Sequence, residues 1–207
     1  MKKFFSISPY QPVSGLKKSV YEAADNSNLF YNKEISFPIL SVINAYAVDN
    51  EEIAVYTVVP EYQNSKDNYE EFKKQIAELE SEKNLKIMLK VISVEYSDSL
   101  DTMLDLFQKM IDCIDENDKI YMCVTFGSKP LSIVQMMAVN YAYRVFKNIR
   151  IGAIVYGKFD HNSKKSVIFD ETSLFYMDEI VRTLAQNGVK NPKEIIKMFI
   201  NDKDSEV

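Results

Sequence analysis

The fold is decided by the stretch Asp118-Lys119-Ile120-Tyr121-Met122-Cys123-Val124-Thr125-Phe126-Gly127-Ser128-Lys129-Pro130-Leu131. Residues 119–124 are almost wholly apolar or aromatic over one strand length, which is typical of a central parallel strand covered on both faces. Gly127 can adopt a backbone conformation that is closed to other residues. Pro130 fits the first turn of a helix, where its missing N–H costs nothing. The stretch therefore predicts a buried strand, a tight turn and a helix in direct succession.

The predicted turn brings together several groups that bind anions. Ser128 is a natural N-cap, and the start of the following helix offers free N–H groups at the positive end of the helix dipole. Thr125 and Ser128 add hydroxyls, and Lys129 adds a cation. We therefore expect an anion site here, with a phosphate as the best-suited ligand. The same residues equally fit an ordinary strand-to-helix turn with an exposed lysine, because the glycine spacings of a P-loop and of a dinucleotide-binding fold are both missing.

Length, charge and cysteine content narrow the class of protein. The 207 residues fit one domain with a short appendage, and we predict a domain over residues 1–188 followed by a C-terminal helix and charged tail over 189–207. The net charge of −5 argues against a general nucleic-acid coat protein, so we expect no direct DNA binding. Cys113 and Cys123 lie in apolar patterns without CxxC spacing, which predicts core thiols of a reduced cytoplasmic protein.

The composition also sets expectations about cofactors and membranes. The two cysteines have no histidine near them in the sequence, so we expect neither a metal site nor a bound cofactor. The chain contains no run of roughly 18–20 apolar residues, the length needed to cross a bilayer, and we therefore expect no membrane association.

Strands and helices alternate along the rest of the chain. Besides the strand in the stretch quoted above, strands are predicted at residues 3–8, 52–59, 85–94, 149–156 and 166–170. Helices are predicted at about residues 39–47, 64–83, 98–114, 130–146, 172–185 and 192–200. A β-hairpin is predicted at 19–31, and a second one with Tyr156 and Val167 on its two strands and His161 in its turn. This alternation predicts an α/β fold with a doubly wound, mostly parallel sheet.

In such a sheet, ligands bind beyond the carboxyl ends of the strands, where the strand order reverses. If the strands at 3–8 and 120–124 are neighbours, the loop after the first strand faces the turn at 125–129. The site would then gather Ser8, Tyr10, Thr125, Ser128 and Lys129, with no Asp or Glu among them.

Three segments resemble the CARF domains of CRISPR-associated proteins. They are Lys3-Phe4-Phe5-Ser6-Ile7-Ser8, Val124-Thr125-Phe126-Gly127-Ser128-Lys129-Pro130 and Ile154-Val155-Tyr156-Gly157. The similarity covers about residues 1–188. The sequence departs from the family pattern because position 129 is not an arginine, and because no C-terminal effector such as a nuclease or winged-helix domain is recognised.

The resemblance implies a homodimer that binds cyclic oligoadenylate, the second messenger of type III CRISPR antiviral defence, across its two-fold axis, with the ring of four favoured over the ring of six. The ligand-binding residues that it implies are Ser6, Ser8, Pro9, Tyr10, Thr125, Phe126, Gly127, Ser128, Lys129, Tyr156 and Gly157. For such a ligand, the rings of Tyr10, Tyr31 and Phe126 suit stacking on adenine, although core packing is the default for any one aromatic residue. The helix at 130–146 is apolar nearly all round. That pattern is equally consistent with a helix beneath the sheet and with a homodimer contact.

The same residues also fit functions other than a sensor. A metal-independent ring nuclease would use Lys129, Ser128 and Thr125 catalytically, holding a ribose 2′-hydroxyl in line with the adjacent phosphate and releasing linear products with a 2′,3′-cyclic phosphate. A third hypothesis is a Rossmann-type nucleotide-binding protein unrelated to CRISPR. A metal-dependent nuclease is disfavoured, because the acidic residues of the helix at 98–114 have the spacing of an exposed face.

Overall fold

The computed structural model describes residues 1–160 and 162–201 and contains, within them, seven strands and six α-helices. His161 and the charged residues after 201, for which the sequence predicted a turn and a tail, lie outside the described residues. The strands are β1 (Lys2–Ile7), β2 (Tyr21–Ala23), β3 (Glu52–Pro60), β4 (Lys86–Val94), β5 (Lys119–Cys123), β6 (Arg150–Asp160) and β7 (Lys165–Asp170). The helices are α1 (Ile39–Tyr46), α2 (Gln63–Lys83), α3 (Leu100–Ile111), α4 (Lys129–Val145), α5 (Thr172–Gln186) and α6 (Pro192–Asn201).

The strands form one mostly parallel sheet in the order β2-β7-β6-β5-β1-β3-β4. Among the strand pairs that the described residues form, β6 with β7 is the antiparallel one. Apart from β2, which lies at the edge of the sheet, the chain places β3 and β4 on one side of β1 and then β5 and β6 on the other side. The strand order therefore reverses between β1 and β5, which confirms the predicted doubly wound α/β fold and the predicted neighbours.

The two central strands form the middle of the core. Phe4 of β1 pairs in register with Tyr121 of β5, and their rings stack with centroids 4.6 Å apart. Phe5 and Met122 are fully buried as well. Residues on both faces of these strands are out of contact with water, which explains why both strands read as almost continuous apolar runs in the sequence.

One predicted hairpin is confirmed and the other is wrong. β6 and β7 pair antiparallel, with Tyr156 opposite Phe169 and Val167 opposite Lys158, although β6 runs on to Asp160. No hairpin forms at residues 19–31, where β2 instead pairs in parallel with the distant β7. The predicted polar tip becomes a short 3-10 turn, because the side chain of Asn26 accepts a hydrogen bond from the N–H of Asn28 and begins the turn.

The described chain divides into a first unit, Met1–Asp170, and a second unit that begins at Glu171. In the second unit α5 and α6 line an open apolar cavity of about 580 Å³. The predicted division after residue 188 falls between α5 and α6, and the extent of a CARF-like domain over 1–188 stays a prediction. Among the described residues, the helices are all too short or too polar to span a bilayer.

Helix α4 has one buried face and one exposed apolar face. Its buried residues include Leu131, Val134 and Ala138. Its exposed face continues onto α3, and together the two helices form what we call the α3–α4 apolar surface: Leu100, Leu104, Ile133, Met137, Tyr141 and Val145. Leu104, Ile133, Met137 and Val145 are each more than half exposed. The helix thus packs against the protein on one side and leaves a contiguous apolar stripe on the other.

A buried ion pair joins β1 to the start of β5. The ammonium group of Lys3 lies 2.7 Å from a carboxylate oxygen of Asp118 and 2.6 Å from one of Asp115, and it donates a hydrogen bond to the carbonyl of Cys113. Burial opposes the charge on Lys3, but the hydrogen bonds to the two carboxylates outweigh it and raise the pKa of the lysine. The stabilisation is therefore complete below the ordinary lysine pKa and is lost as the pH rises through the raised one.

We expect Asp118→Asn to lower the free energy of unfolding by about 3 kcal/mol, because the buried Lys3 ammonium then lacks its buried carboxylate partner. Asp115→Asn is the control: its side chain is 82% exposed, and its loss is expected to cost under about 1 kcal/mol. Urea unfolding near neutral pH measures both values. Equal losses for the two variants would contradict the burial argument.

Candidate anion-binding site at the β5–α4 turn

The turn between β5 and α4 requires glycine at position 127. Gly127 has a φ of +88°, in the region that side chains disfavour. A Cβ added there would lie 2.6 Å from Cγ2 of Ile7, the last residue of β1. The backbone of the turn therefore approaches the end of β1 as closely as a chain can, and only a residue without a side chain permits this approach.

Thr125 ties the turn to the end of β6. Its hydroxyl oxygen accepts a hydrogen bond of 2.8 Å from the N–H of Gly157 and lies 3.1 Å from the sulfur of Cys123. Gly157 in turn packs on the start of α1, where an added Cβ would lie 2.3 Å from Cγ of Pro38. Thr125 thus fixes the position of the turn relative to Tyr156 and Gly157.

Ser128 precedes α4 as predicted, but its hydroxyl does not cap the helix. The hydroxyl instead donates a 2.7 Å hydrogen bond to the carboxylate of Asp98, in the loop between β4 and α3. Lys129 follows at the first position of α4 and is exposed. The cap position is therefore correct, while the hydroxyl is turned toward a carboxylate rather than toward the N–H groups of the helix.

Three tyrosines from three strand-end loops form a cluster beside Ser128. Tyr62 and Tyr96 stack with centroids 4.5 Å apart, and the ring of Tyr10 meets Tyr96 edge-on at 5.2 Å. Burial raises the pKa of the Tyr10 hydroxyl, and hydrogen bonding from Ser128 opposes part of that increase. Next to this tyrosine cluster lies a cavity of about 210 Å³, lined by Tyr10, Tyr96, Ser97 and Asp98.

A second cavity, of about 320 Å³, lies on the β6 side of the turn. Thr125 and Phe126 line it from the turn, and Tyr156 lines it from β6. Two exposed lysines, Lys17 and Lys158, also line it. The turn is thus flanked by one cavity with tyrosines and a carboxylate and by another with aromatic rings and two cations.

Part of the predicted site, the end of β1 and the loop after it, is buried and bonds to other parts of the protein. Ser6 is buried and shares a 3.4 Å hydrogen bond with Thr57 of β3. Ser8 is buried and donates to the backbone carbonyl of Ser65 on α2 at 2.6 Å. The carbonyl of Pro9 accepts hydrogen bonds from the side chains of Ser65 and Asn68. Ser8 and Pro9 thus anchor the loop on α2 and thereby place Tyr10, whereas Ser6 bonds to the neighbouring strand. A direct contact with a ligand stays a prediction for all three residues.

Of the three aromatic residues suggested for adenine stacking, two lie at this edge of the sheet. Phe126 lines the larger cavity, and Tyr10 belongs to the tyrosine cluster. Tyr31 is buried in the core and donates to Glu82 near the end of α2. Burial, together with the Glu82 carboxylate, raises the pKa of the Tyr31 hydroxyl. Tyr31 therefore stabilises the core and does not belong to the candidate site.

Sequence reasoning missed three residues of the site: Tyr62, Tyr96 and Asp98. The expectation that no Asp or Glu lies there is wrong, because Asp98 bonds directly to Ser128. A signal was present, since each of the three follows a predicted strand by a few residues and the carboxyl ends of parallel strands share one edge. In the described part of the chain, no group of three or more His, Cys, Asp or Glu is arranged to hold a metal ion.

Comparison with known proteins adds two similarities, and no family model matches the chain. A segment of 105 residues is 22% identical to the CRISPR-associated protein MJ1674 of Methanocaldococcus jannaschii, over 50% of this chain and 16% of that protein. Enterococcus italicus Csm6 bound to cyclic hexa-2′-fluoro-hexa-dAMP is 13% identical, with a TM-score of 0.46, over 98% of this chain and 54% of that one. The chain thus spans only part of each relative. The predicted resemblance to CRISPR-associated proteins is confirmed by the first match.

We expect Gly127→Ala to lower the free energy of unfolding by about 2 kcal/mol or more. The added methyl group collides with Ile7, and alanine disfavours the φ of +88° that the turn requires at this position. Gly15→Ala is the control, since its added methyl meets Gln11 at an ordinary 3.7 Å, and a change within about 0.5 kcal/mol is expected. Urea unfolding compares the two variants. A neutral Gly127→Ala would show that the close approach to β1 is not required.

Proposed function

We propose that this chain is a homodimeric sensor that binds a cyclic oligoadenylate second messenger in type III CRISPR antiviral defence. The observation that carries the proposal is the Gly127 turn at the point where the strand order reverses. It presents Ser128, Lys129 and the start of α4 between two cavities. A phosphate on the turn with a base in each cavity fits this arrangement, because backbone N–H groups and a helix dipole favour the anion and aromatic walls favour the bases.

The local charge supports an anionic ligand in spite of the net charge of −5. Lys129 is exposed at the turn, and Lys17 and Lys158 are exposed at the larger cavity. Their charges act over short distances and are screened beyond about 10 Å, so the local excess of cations governs a ligand held at this edge.

The proposed ligand contacts are those that the resemblance to CARF domains implies. They comprise Ser6, Ser8, Pro9, Tyr10, Thr125, Phe126, Gly127, Ser128, Lys129, Tyr156 and Gly157. A ring of four adenylates is proposed in preference to a ring of six, and the site of action is the cytoplasm. Csm6 of Enterococcus italicus was solved with a six-membered analogue, so the ring of six belongs in every test.

The homodimer is proposed from the α3–α4 apolar surface. α4 begins at the anion-binding turn and carries Ile133, Met137 and Val145 along its exposed side. If two copies pack these faces together about a two-fold axis, both turns lie near that axis, and a symmetric ring of phosphates meets the same groups from each protomer. Burial of the stripe in such an interface accounts for its apolar character.

We expect Lys129→Ala to weaken binding of cyclic tetra-adenylate and cyclic hexa-adenylate by at least about tenfold, because it removes a charge-assisted contact from each protomer. Isothermal titration gives the affinities. Lys86→Ala is the control, since Lys86 is an exposed lysine at the opposite, amino end of β4, and less than about twofold change is expected. Failure of the unmodified chain to bind either ring overturns the proposed function.

The same incubations separate a sensor from a ring nuclease. Chromatography of the nucleotides after titration shows intact rings if the chain only binds. Linear products with a 2′,3′-cyclic phosphate, formed over multiple turnovers, would establish the ring nuclease, with Lys129, Ser128 and Thr125 as the residues to substitute next. In that case Lys129→Ala should reduce cleavage more than binding.

We expect Met137→Glu to convert the dimer to monomers at micromolar concentration, because it buries a charge in the centre of the apolar surface. Val91→Glu makes the same chemical change at an exposed apolar position of β4, outside this surface, and is expected to leave the dimer intact. Sedimentation velocity distinguishes the species. A monomeric unmodified chain, or a dimer that survives Met137→Glu, would contradict the proposed interface.

A further inference from the structure

Asp98 places a carboxylate directly at the anion-binding turn. One of its oxygens accepts the 2.7 Å hydrogen bond from the Ser128 hydroxyl, and the residue is exposed. It also lines the cavity beside the tyrosine cluster. Within residues 1–160 and 162–201, no lysine, arginine or terminal amine forms an ion pair with it. Its charge is therefore not paired with a cation in direct contact among these residues.

The start of helix α3 does not depend on this carboxylate. The neighbouring Ser99, not Asp98, begins α3, since the Ser99 hydroxyl accepts a hydrogen bond from the N–H of Thr102. Asp98 adds a like charge next to a site for phosphate, and this repulsion weakens the binding of any anion. A hydrogen bond from the ligand to Asp98 would offset this repulsion. The ligand must then carry a hydrogen-bond donor close to its phosphate.

The donor closest to a phosphate in a ribonucleotide is the ribose 2′-hydroxyl, which sits on the carbon next to the one that carries the 3′-phosphate. Ser128 bonds to Asp98 and stands at the turn where the phosphate is proposed to lie, so the carboxylate is within reach of the sugar attached to that phosphate. Carboxylates at the strand ends of α/β sheets accept hydrogen bonds from ribose hydroxyls in this way.

Recognition of the base is a weaker explanation for Asp98. A carboxylate accepts best from two parallel donors, and the pairing edge of adenine offers one amino group beside an acceptor nitrogen. The tyrosine rings that share the cavity stack on any base. The sugar hydroxyl is a single donor and needs a single acceptor oxygen. Ser128 donates to Oδ1 of Asp98, so the second carboxylate oxygen, Oδ2, suits this donor.

We propose that Asp98 is a specificity-determining residue that accepts a hydrogen bond from the ribose 2′-hydroxyl of the nucleotide bound at the turn. It selects ribonucleotide rings over rings that lack this donor, and it does so at a cost in overall affinity. This inference rests on the proposed function, because it assumes that a cyclic nucleotide occupies the turn.

The test compares cyclic tetra-adenylate and cyclic hexa-adenylate, each with its own 2′-fluoro-2′-deoxy analogue, by isothermal titration. The fluorine keeps the sugar pucker of ribose but cannot donate a hydrogen bond, so the ratio of the two dissociation constants isolates the donor. For the unmodified chain we expect the analogue to bind at least about tenfold more weakly. For Asp98→Ala we expect a ratio near 1, reached mainly because the analogue binds more tightly once the negative charge is gone.

Asp101→Ala is the control, because it removes an exposed carboxylate of the first turn of α3, three residues away. It is expected to keep the ratio of the unmodified chain. Asp98→Asn preserves the shape of the side chain and should give an intermediate ratio, since a neutral acceptor forms a weaker hydrogen bond. Chromatography of each sample verifies that the ring stays intact during the titration.

Two outcomes overturn the inference while leaving the proposed function standing. One is tight binding of a ribose ring and its 2′-fluoro analogue without discrimination, and the other is a ratio that Asp98→Ala leaves unchanged. Failure of the unmodified chain to bind cyclic tetra-adenylate and cyclic hexa-adenylate alike overturns the proposed function itself, and this inference with it.

Discussion

The parallel pairing of β1 with β5 is the constraint on which the rest of the structure depends. At the amino end of the pair, Lys3 of β1 and Asp118 before β5 form a buried ion pair. At the carboxyl end, Gly127 after β5 lies against Ile7, the last residue of β1. Between these ends the rings of Phe4 and Tyr121 stack. The pair is thus fixed along its whole length, and the chain winds outward from it in both directions.

This winding gathers loops at one edge of the sheet. Tyr10, Tyr62 and Tyr96 follow β1, β3 and β4, and their rings come into contact although the residues lie far apart in sequence. On the other side, Thr125 after β5 binds the backbone of Gly157 in β6. The close approach of Gly127 to β1 leaves Ser128 and Lys129 between these two groups. A rigid frame therefore supports the proposed ligand contacts, and rigid support reduces the entropy lost when a ligand binds.

The central strand, the turn and the helix of residues 118–131 could be predicted because several signals coincide there. An apolar run, a glycine, a serine and a proline each favour the same local structure. Residues 19–31 were mispredicted as a hairpin because their local pattern favours a nearby partner strand, whereas β2 finds its partner in β7, more than 140 residues later. Pairing at that distance depends on how the whole sheet assembles, which local patterns do not encode.

The side chains of the site were harder to predict than its location. Ser6 and Ser8 belong to a strand and loop covered by other elements, and their hydroxyls have partners inside the protein that the sequence does not reveal. Their contact with a ligand stays a prediction. Asp98 was missed because its meeting with Ser128 depends on the order of the strands in the sheet. Sequence patterns therefore located the edge where a ligand is expected, and the packing of the loops determined which side chains reach it.

The most direct measurement is a crystal structure of the chain grown with saturating cyclic oligoadenylate, of four and of six units. We expect a phosphate within hydrogen-bond distance of the turn at residues 125–129, adenine rings in the two flanking cavities, and a second copy of the chain related by a two-fold axis beside α4. A ring bound elsewhere, for instance in the apolar cavity between α5 and α6, would contradict it.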